Sequence, residues 1–442
     1  MTDLYRWQEE ALDNLGSTLQ VGGSGATIAA VTGAGKTRVA LEFARRLVTQ
    51  AREEGGDPWF VTVVVPRKSL MLQWRDDLHD MFNRSRFVGR FGGGGIKGWD
   101  NKPKPFWNIA TINAMRDGKA SEWLSNIKEH RNHLVIVDEC HNITAPKNRK
   151  ALDPENAHQT FVLGMSATPN ANNQDEARVQ DLCGPIVYSY RYNQALIDEV
   201  IPPFVVKATA IPLTADETAE QEDLTKKVRS VNNDLRRENR DGFRRNQLEN
   251  IQRALYLKRK RKLNGCRSRL SAALRILNGH PRVPTMVFHD TIEAVEDLAR
   301  KTQQLNPLVY HSGLSAKEGN AVLKAFADGE SDFLYSCKAL TEGFNVPRVE
   351  RAIMMSGPNK PLQRIQTLGR CLRGKTDTPN EIYFLYVPNT TDVKGLRNLM
   401  VEADIPSEVF HHQYFNPNYT GLSNCSQPPW LFGTPSGPYT VG

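Results

Sequence analysis

The chain has 442 residues, 39% of them apolar, which suits two or three domains with ordinary cores and excludes a disordered chain. No apolar run reaches about 18 residues, so no membrane-spanning helix and no membrane partner is expected. The six cysteines are scattered without a C-x-x-C pair, which argues against a zinc ribbon or disulfide scaffold and for a reducing, cytoplasmic setting. The net charge of +8 is uneven: residues 226–275 hold 17 Lys and Arg against 4 Asp and Glu, a local +13 that leaves −5 elsewhere. A polyanion touching that segment is the expected partner.

The start, "MTDLYRWQEEALDNL", reads as an acidic amphipathic segment and not as a signal peptide. Short apolar runs then alternate with helical patterns: "ATIAAV", "WFVTVVVP", "WNIATINA", "HLVIVDE" and "TFVLGMSATP" are predicted strands, and "TRVALEFARRLVTQA" is a predicted helix. This alternation predicts a parallel sheet covered by helices, spanning residues 1–205. The run "FGGGGIKG" (91–98) is predicted to be a flexible loop. Residues 206–279 change character. Leu224, Val228, Val231 and Leu235, then Leu248, Ile251 and Leu255, recur at helical spacing among charges, predicting a basic helical connector. Alternation resumes over 280–395 with "PTMVFHD", "PLVYHSG", "SDFLYSCKAL", "ERAIMMSG" and "EIYFLYVP" as strands and "TIEAVEDLARKTQQL" as a helix, giving a second α/β domain. Residues 396–442 are rich in Pro, Gly and aromatics and are expected to be irregular. No internal sequence repeat is visible, although the two α/β halves could share a fold.

The chemistry concentrates in three places. "AAVTGAGKTRVA" (29–40) fits a phosphate-binding loop, G-x-x-x-x-G-K-S/T, except that Ala30 stands at the first glycine. Thr32, Gly33, Ala34 and Gly35 would curl the backbone so that its N–H groups face phosphate, Lys36 would reach the β and γ phosphates, and Thr37 would ligate Mg²⁺. "LVIVDECH" ends a strand in Asp138, a second Mg²⁺ ligand, and Glu139, which can orient or deprotonate the attacking water. Far downstream, "QTLGRCLRG" sets Arg370 and Arg373 on one helical face, where they can neutralise charge on a transferring phosphoryl group. The ordinary reading of a lone R-x-x-R is a surface pair; the order of the whole set changes that.

These motifs resemble those of superfamily 2 helicases and translocases, spread over nearly all of residues 1–395. There the phosphate loop often reads A-x-x-G-x-G-K-T, as in "AVTGAGKT" here, so Ala30 looks like a family feature. "DECH" (138–141) resembles the DExH form of the second motif, and "SAT" (Ser166, Ala167, Thr168) the motif that, with His141, couples hydrolysis to domain motion. "VVVPRKSLMLQW" and "IATINAM" resemble motifs that contact the nucleic-acid backbone, through Pro66, Arg67, Gln73 and Thr111. "MVFHD", "ALTEGFNVPRVE" and "QTLGRCLR" are similar to the second-lobe motifs, which implies Gly343, Asn345, Gln366, Arg370 and Arg373 at the nucleotide. "YRWQEEAL" is similar to an adenine-contacting element and points to Gln8. Many relatives carry Asp where Asn345 stands, so altered affinity for the ribose is expected.

The resemblance implies two tandem RecA-like domains with ATP and Mg²⁺ in the cleft between them and nucleic acid across both lobes. The forms "DECH" and "QTLGRCLR" favour the DNA-acting branch that holds phage branch-migration, repair and restriction translocases, without excluding RNA. Lys258, Arg259, Lys260, Arg261 and Lys262 ("KRKRK") are the candidate extra phosphate contacts; a solvated surface or plain connecting helices are the bland readings. The seven aromatics from Phe410 to Tyr439 are expected to pack on the second α/β domain, with base stacking or partner docking as alternatives. His411 and His412 read as surface residues, and Cys140 and His141 as part of "DECH" and not as zinc ligands. The leading expectation is an ATP-dependent DNA helicase or duplex translocase. The alternatives are an RNA helicase, or the motor or sensing subunit of a nuclease or defence complex whose protein partner supplies the effector chemistry.

Overall fold

The computed structural model describes residues 3–82, 88–92, 107–117, 132–152, 161–169, 173–237, 242–337, 349–356, 378–417 and 422–424. Packing divides the chain into two compact units with the main boundary between Ile201 and Pro202.

The first unit runs α1 (Arg6–Gln20), β1 (Gly25–Ala30), α2 (Lys36–Glu54), β2 (Trp59–Val65), α3 (Lys68–Phe82), β3 (Val88–Phe91), β4 (Trp107–Thr111), α4 (Ile112–Arg116), β5 (Asn132–Asp138), β6 (Phe161–Ser166), α5 (Asn173–Cys183), β7 (Ile186–Tyr190) and α6 (Tyr192–Ile197). Its strands are all parallel, in the order β3-β4-β2-β5-β6-β1-β7. Every residue of β1, β2, β4 and β6 is buried. That is the physical reason these strands read as unbroken apolar runs: helices cover both faces of a parallel sheet, so neither side chain row meets water. Gly164 lets α5 press onto β6, since a Cβ there would sit 2.8 Å from the Cβ of Cys183.

The second unit runs β8 (Phe204–Ala210), α7 (Ala215–Arg237), α8 (Phe243–Asn264), α9 (Arg267–Gly279), β9 (Thr285–His289), α10 (Ile292–Lys301), β10 (Leu308–Tyr310), α11 (Ala316–Asp328), β11 (Phe333–Cys337), β12 (Arg351–Met354), β13 (Asn380–Tyr386), α12 (Thr391–Ala403), β14 (Phe410–Phe415) and β15 (Leu422–Asn424). The sheet order is β10-β11-β9-β12-β13-β8-β14-β15, parallel except for β15. With β8 set as the counterpart of β1, the strands from β10 to β14 repeat the order of the first sheet strand for strand. Two parallel sheets flanked by helices are therefore what the alternation predicted, and their topology is shared although no sequence repeat exists.

The shared order explains two segments. Helix α9 buries Ala272, Ala273, Ile276 and Leu277 in the second core and leads into β9, so it occupies the place of α2. Helices α7 and α8 are then an inserted hairpin between β8 and α9. Few of its side chains are buried: Leu224 and Val228 on α7, Leu263 and Asn264 on α8. Polar bridges tie the pair together, from Gln252 Nε2 to Asn232 Oδ1 (2.7 Å) and from Gln221 Nε2 to the Arg259 carbonyl (3.2 Å). The seam follows Leu248, Gln252, Leu255 and Arg259, which leaves Ile251, predicted to pack, 48% exposed.

Part of the segment expected to be irregular is regular. Residues 391–403 are helix, and β14 adds a parallel strand to β8 where β7 adds to β1. Phe410 and Phe415 are buried at its two ends, and the polar run between them hides the strand pattern. His412 Nε2 lies 2.6 Å from the Tyr386 hydroxyl, which gives that histidine a structural partner. Residues 425–442, with the aromatics Trp430, Phe432 and Tyr439, lie outside the described residues, as do Gly93–Gly98 of the predicted glycine loop.

Candidate functional site

Parallel strands all end on one edge, and loops there are where ligands of open α/β sheets are held. Along this edge of the first unit the strand tips follow the sheet order: β4 ends in Thr111, β2 in Pro66–Arg67, β5 in Asp138–Glu139, β6 in Ser166–Thr168, and β1 in the phosphate loop. Residues distant in sequence thus form one row, with the expected backbone-contacting residues at one end and the nucleotide residues at the other.

In the phosphate loop Gly33 (φ 90°) and Gly35 (φ 95°) occupy the left-handed region that side chains disfavour. A Cβ on Gly35 would also lie 2.7 Å from Gln8 Nε2. Gln8 is buried, and its amide donates to the carbonyls of Ala34 (3.4 Å) and Gly35 (3.3 Å), while its Oε1 accepts the Tyr5 N–H (3.0 Å). The residue expected at the adenine therefore also braces the loop. Lys36 Nζ donates to the carbonyls of Ala30 (2.9 Å) and Val31 (3.2 Å), so its charge sits at the tip of β1. Thr37 stands in the first turn of α2, where unpaired helix N–H groups favour an anion.

Asp138 is buried and pushed up to about 6, first by that burial and next by the charge of Glu139; the Trp74 N–H and Lys36 act against the rise. Asp77 on α3 is likewise pushed up to about 6 by burial and by Asp80, Asp76 and Asp138. Such crowding of carboxylates is relieved by a bound divalent cation. Glu139 adopts the left-handed conformation (φ 48°), unusual for a non-glycine residue and a mark of imposed geometry. Its Oε2 is buried and lies 3.4 Å from His141 Nδ1 without making a hydrogen bond among the described residues, and Thr32 Oγ1 in the phosphate loop is buried without a hydrogen-bond partner there. Buried polar atoms are nearly always satisfied, so both fit a Mg²⁺-nucleotide and its attacking water.

His141 joins this pair to β6. Its Nδ1 lies 3.0 Å from Ser166 Oγ, and its Nε2 lies 3.1 Å from Asn142 Nδ2. The amide nitrogen can only donate, so Nε2 accepts and Nδ1 carries the proton given to Ser166. Ser166 Oγ also accepts the Thr168 N–H at 3.1 Å, while Ala167 is half-buried between them. The four residues expected to couple hydrolysis to motion are brought together.

At the other end of the row Arg67 and Gln73 are exposed and Pro66 is half-buried. Thr111 is buried and caps α4, accepting the Ala114 N–H at 3.2 Å. In the second unit Lys258 and Arg261 on α8 are exposed, and Arg259 lies 5.2 Å from the Tyr256 ring. Lys260 pairs with Asp290 (2.8 Å) and Lys262 with Glu220 (2.9 Å), so these two are partly neutralised within the protein. Gly343, Asn345, Gln366, Arg370 and Arg373 lie outside the described residues. No cluster of metal-ligating residues is present among the described residues apart from this carboxylate pair.

Sequence reasoning missed Trp74. It falls inside "VVVPRKSLMLQW", yet its indole Nε1 donates to Asp138 Oδ2 at 2.8 Å. The adjacency of β2 and β5 creates that contact, and nothing in local spacing announces it.

The chain is similar to several known proteins. Residues 1–171 match the family described as "Type III restriction enzyme, res subunit" and residues 268–375 the "Helicase conserved C-terminal domain". The chain is 26% identical over 353 residues to the DNA 3'-5' translocase XPB2 of Sulfurisphaera tokodaii, covering 78% of this chain and 74% of that protein. The Type ISP restriction-modification enzyme LlaBIII bound to DNA superposes with a TM-score of 0.60 at 16% identity, over 90% of this chain but only 30% of that one. Dbp5 of S. cerevisiae bound to RNA and ADP BeF3 gives 0.58 at 13% identity, over 94% and 90%. At such identities the two structures speak for the fold, tandem RecA-like units, alone.

Proposed function

We propose that this chain, which belongs to the superfamily 2 helicases and is an ATP-hydrolysing enzyme of that kind, is a motor that couples hydrolysis to movement along DNA. The observation that carries this is the row of strand tips: Pro66–Arg67 follow β2, which lies next to the strand that ends in Asp138–Glu139, and Thr111 ends β4 on the far side of β2. A polyanion held at β4 and β2 is two strands and one strand away from the hydrolytic carboxylates. Similarity to a DNA translocase over 78% of the chain supports DNA as the track.

In this reading the loop N–H groups and Lys36 bind the triphosphate, and Gln8 contacts the adenine. Thr37 and Asp138 would hold Mg²⁺, which would supply charge neutralisation to the phosphates. Glu139 Oε2 accepts a proton from the attacking water and aims it. Arg370 and Arg373 are the proposed source of positive charge at the γ-phosphate, with Gln366, Gly343 and Asn345 completing the nucleotide contacts. The Glu139–His141–Ser166 cluster passes the state of the site to the tip of β6. Contacts to the phosphate backbone carry affinity without reading sequence.

Lys258 and Arg261 extend that contact on the inserted hairpin. Replacing both by Gln is expected to lower the slope of log affinity against log salt by about two, one for each phosphate that is no longer neutralised, at unchanged nucleotide affinity. Fluorescence anisotropy on duplex DNA across a salt series reads it. An unchanged slope assigns these cations to ordinary solvated surface.

A further inference from the structure

We propose that Trp74 is a positioning residue that ties helix α3 to the metal-binding carboxylate Asp138, so that polynucleotide held at the start of α3 is felt at the magnesium site. This rests on the helicase reading and names a link within it. Trp74 is 1% exposed. Its indole N–H donates to Oδ2 of Asp138 at 2.8 Å, and the Glu139 backbone N–H donates to Oδ1 at 3.0 Å. Each oxygen is thus held by one neutral donor and keeps a further lone pair for a cation. A buried tryptophan N–H usually finds a partner, and a backbone carbonyl would serve. Here the partner is the carboxylate that the metal needs. An arginine or lysine in that place would compete with Mg²⁺ for the charge; an indole orients the carboxylate and leaves the charge available.

The other half of the link is on the same helix. Gln73, the preceding residue, is exposed, and Arg67 stands immediately before α3 at the tip of β2. Arg67 and Trp74 are about two helical turns apart. A helix moves as a stiff unit over that length, so a phosphate contact at Arg67 or Gln73 shifts the indole against Asp138. The neighbours of a metal ligand are worth about 10–100-fold in metal affinity, which sets the expected effect.

The test uses the full chain with Trp74→Phe, which keeps an aromatic ring and removes the donor, and Trp74→His, which restores an N–H. Mn²⁺ binding in the presence of a non-hydrolysable ATP analogue, followed by electron paramagnetic resonance, should weaken at least tenfold in Trp74→Phe and recover in part in Trp74→His. The affinity for the metal-free nucleotide should not change, and DNA should stimulate hydrolysis less at saturating Mg²⁺. Equal Mn²⁺ affinities in wild type and a folded Trp74→Phe overturn the inference. Where the variant fails to fold, the wild-type chain decides: the indole ¹⁵N–¹H resonance broadened by Mn²⁺ should shift when DNA is added without metal, and no shift overturns the link. A wild-type chain that hydrolyses no ATP would defeat the helicase reading itself, whereas hydrolysis with equal metal affinities defeats only the role of Trp74.

Discussion

Glu139→Gln is expected to lower the turnover number by about 10²–10⁴-fold, the range a positioned general base contributes, while nucleotide and DNA affinities stay within a few-fold. Two features of Glu139 lead there. Its backbone is held in the left-handed region, so the side chain is aimed by the end of β5 and not by its own preference. Its Oε2 is buried and makes no hydrogen bond among the described residues, with His141 Nδ1 3.4 Å away, so a lone pair remains for a water proton. Gln is isosteric but cannot take that proton. The variant also removes the charge that, after burial, pushes Asp138 up, so the fold should lose nothing and Asp138 should ionise more readily. Single-turnover hydrolysis of labelled ATP, with equilibrium binding of the nucleotide beside it, measures both halves. Turnover within threefold of wild type would remove Glu139 from the reaction.

The second large effect concerns folding. Arg269→Leu is expected to destabilise the second unit by about 3–5 kcal/mol, the cost of leaving one member of a buried ion pair alone. Arg269 is 1% exposed, and its guanidinium donates to the carbonyls of Leu263 (3.0 Å), Leu385 (2.7 Å) and Met355 and pairs with Asp392. Met355 and Leu385 lie at the ends of β12 and β13, the counterparts of β5 and β6. The place that holds Asp138 and Lys36 in the first unit is therefore occupied in the second by the protein's own cation and carboxylate. That unit gains a structural pin where its twin keeps the proposed nucleotide site. Replacing Asp392 as well as Arg269 by Leu should recover part of the loss, because no unpaired charge remains. Denaturant melts of the single and double variants measure this. A loss below about 1 kcal/mol in the single variant would contradict it.

These two residues differ in how visible they are beforehand. Glu139 is legible because a strand of unbroken apolar residues ends in an acidic pair, and Lys36 because the glycine spacing of its loop is a local requirement of phosphate binding. The central strands were legible for a related reason: burial on both faces forces runs such as "WFVTVVV", and β2 spans that run. Arg269 sits in a stretch whose many cations suggest solvent or DNA, and its burial follows only from α9 taking the place of α2. The strand β8 is apolar enough, but it adjoins the change to basic composition and reads as part of the connector. Strand β14 hides behind "HHQ". Trp74 belongs to a recognisable motif, yet its partner is 64 positions away and is reached only through the pairing of β2 with β5. What escaped sequence reasoning depends on which strands lie side by side, and β-branched core strands carry little information about their order.

The central claim is that ATP hydrolysis here is driven by a DNA track. Steady-state hydrolysis by the full chain, with no polynucleotide, single-stranded DNA, duplex DNA, branched DNA or RNA added, tests it most directly. Strong stimulation by at least one form of DNA, abolished in Lys36→Ala, is the predicted result. Stimulation by RNA alone would contradict the choice of track, and a rate indifferent to every polynucleotide would contradict the motor.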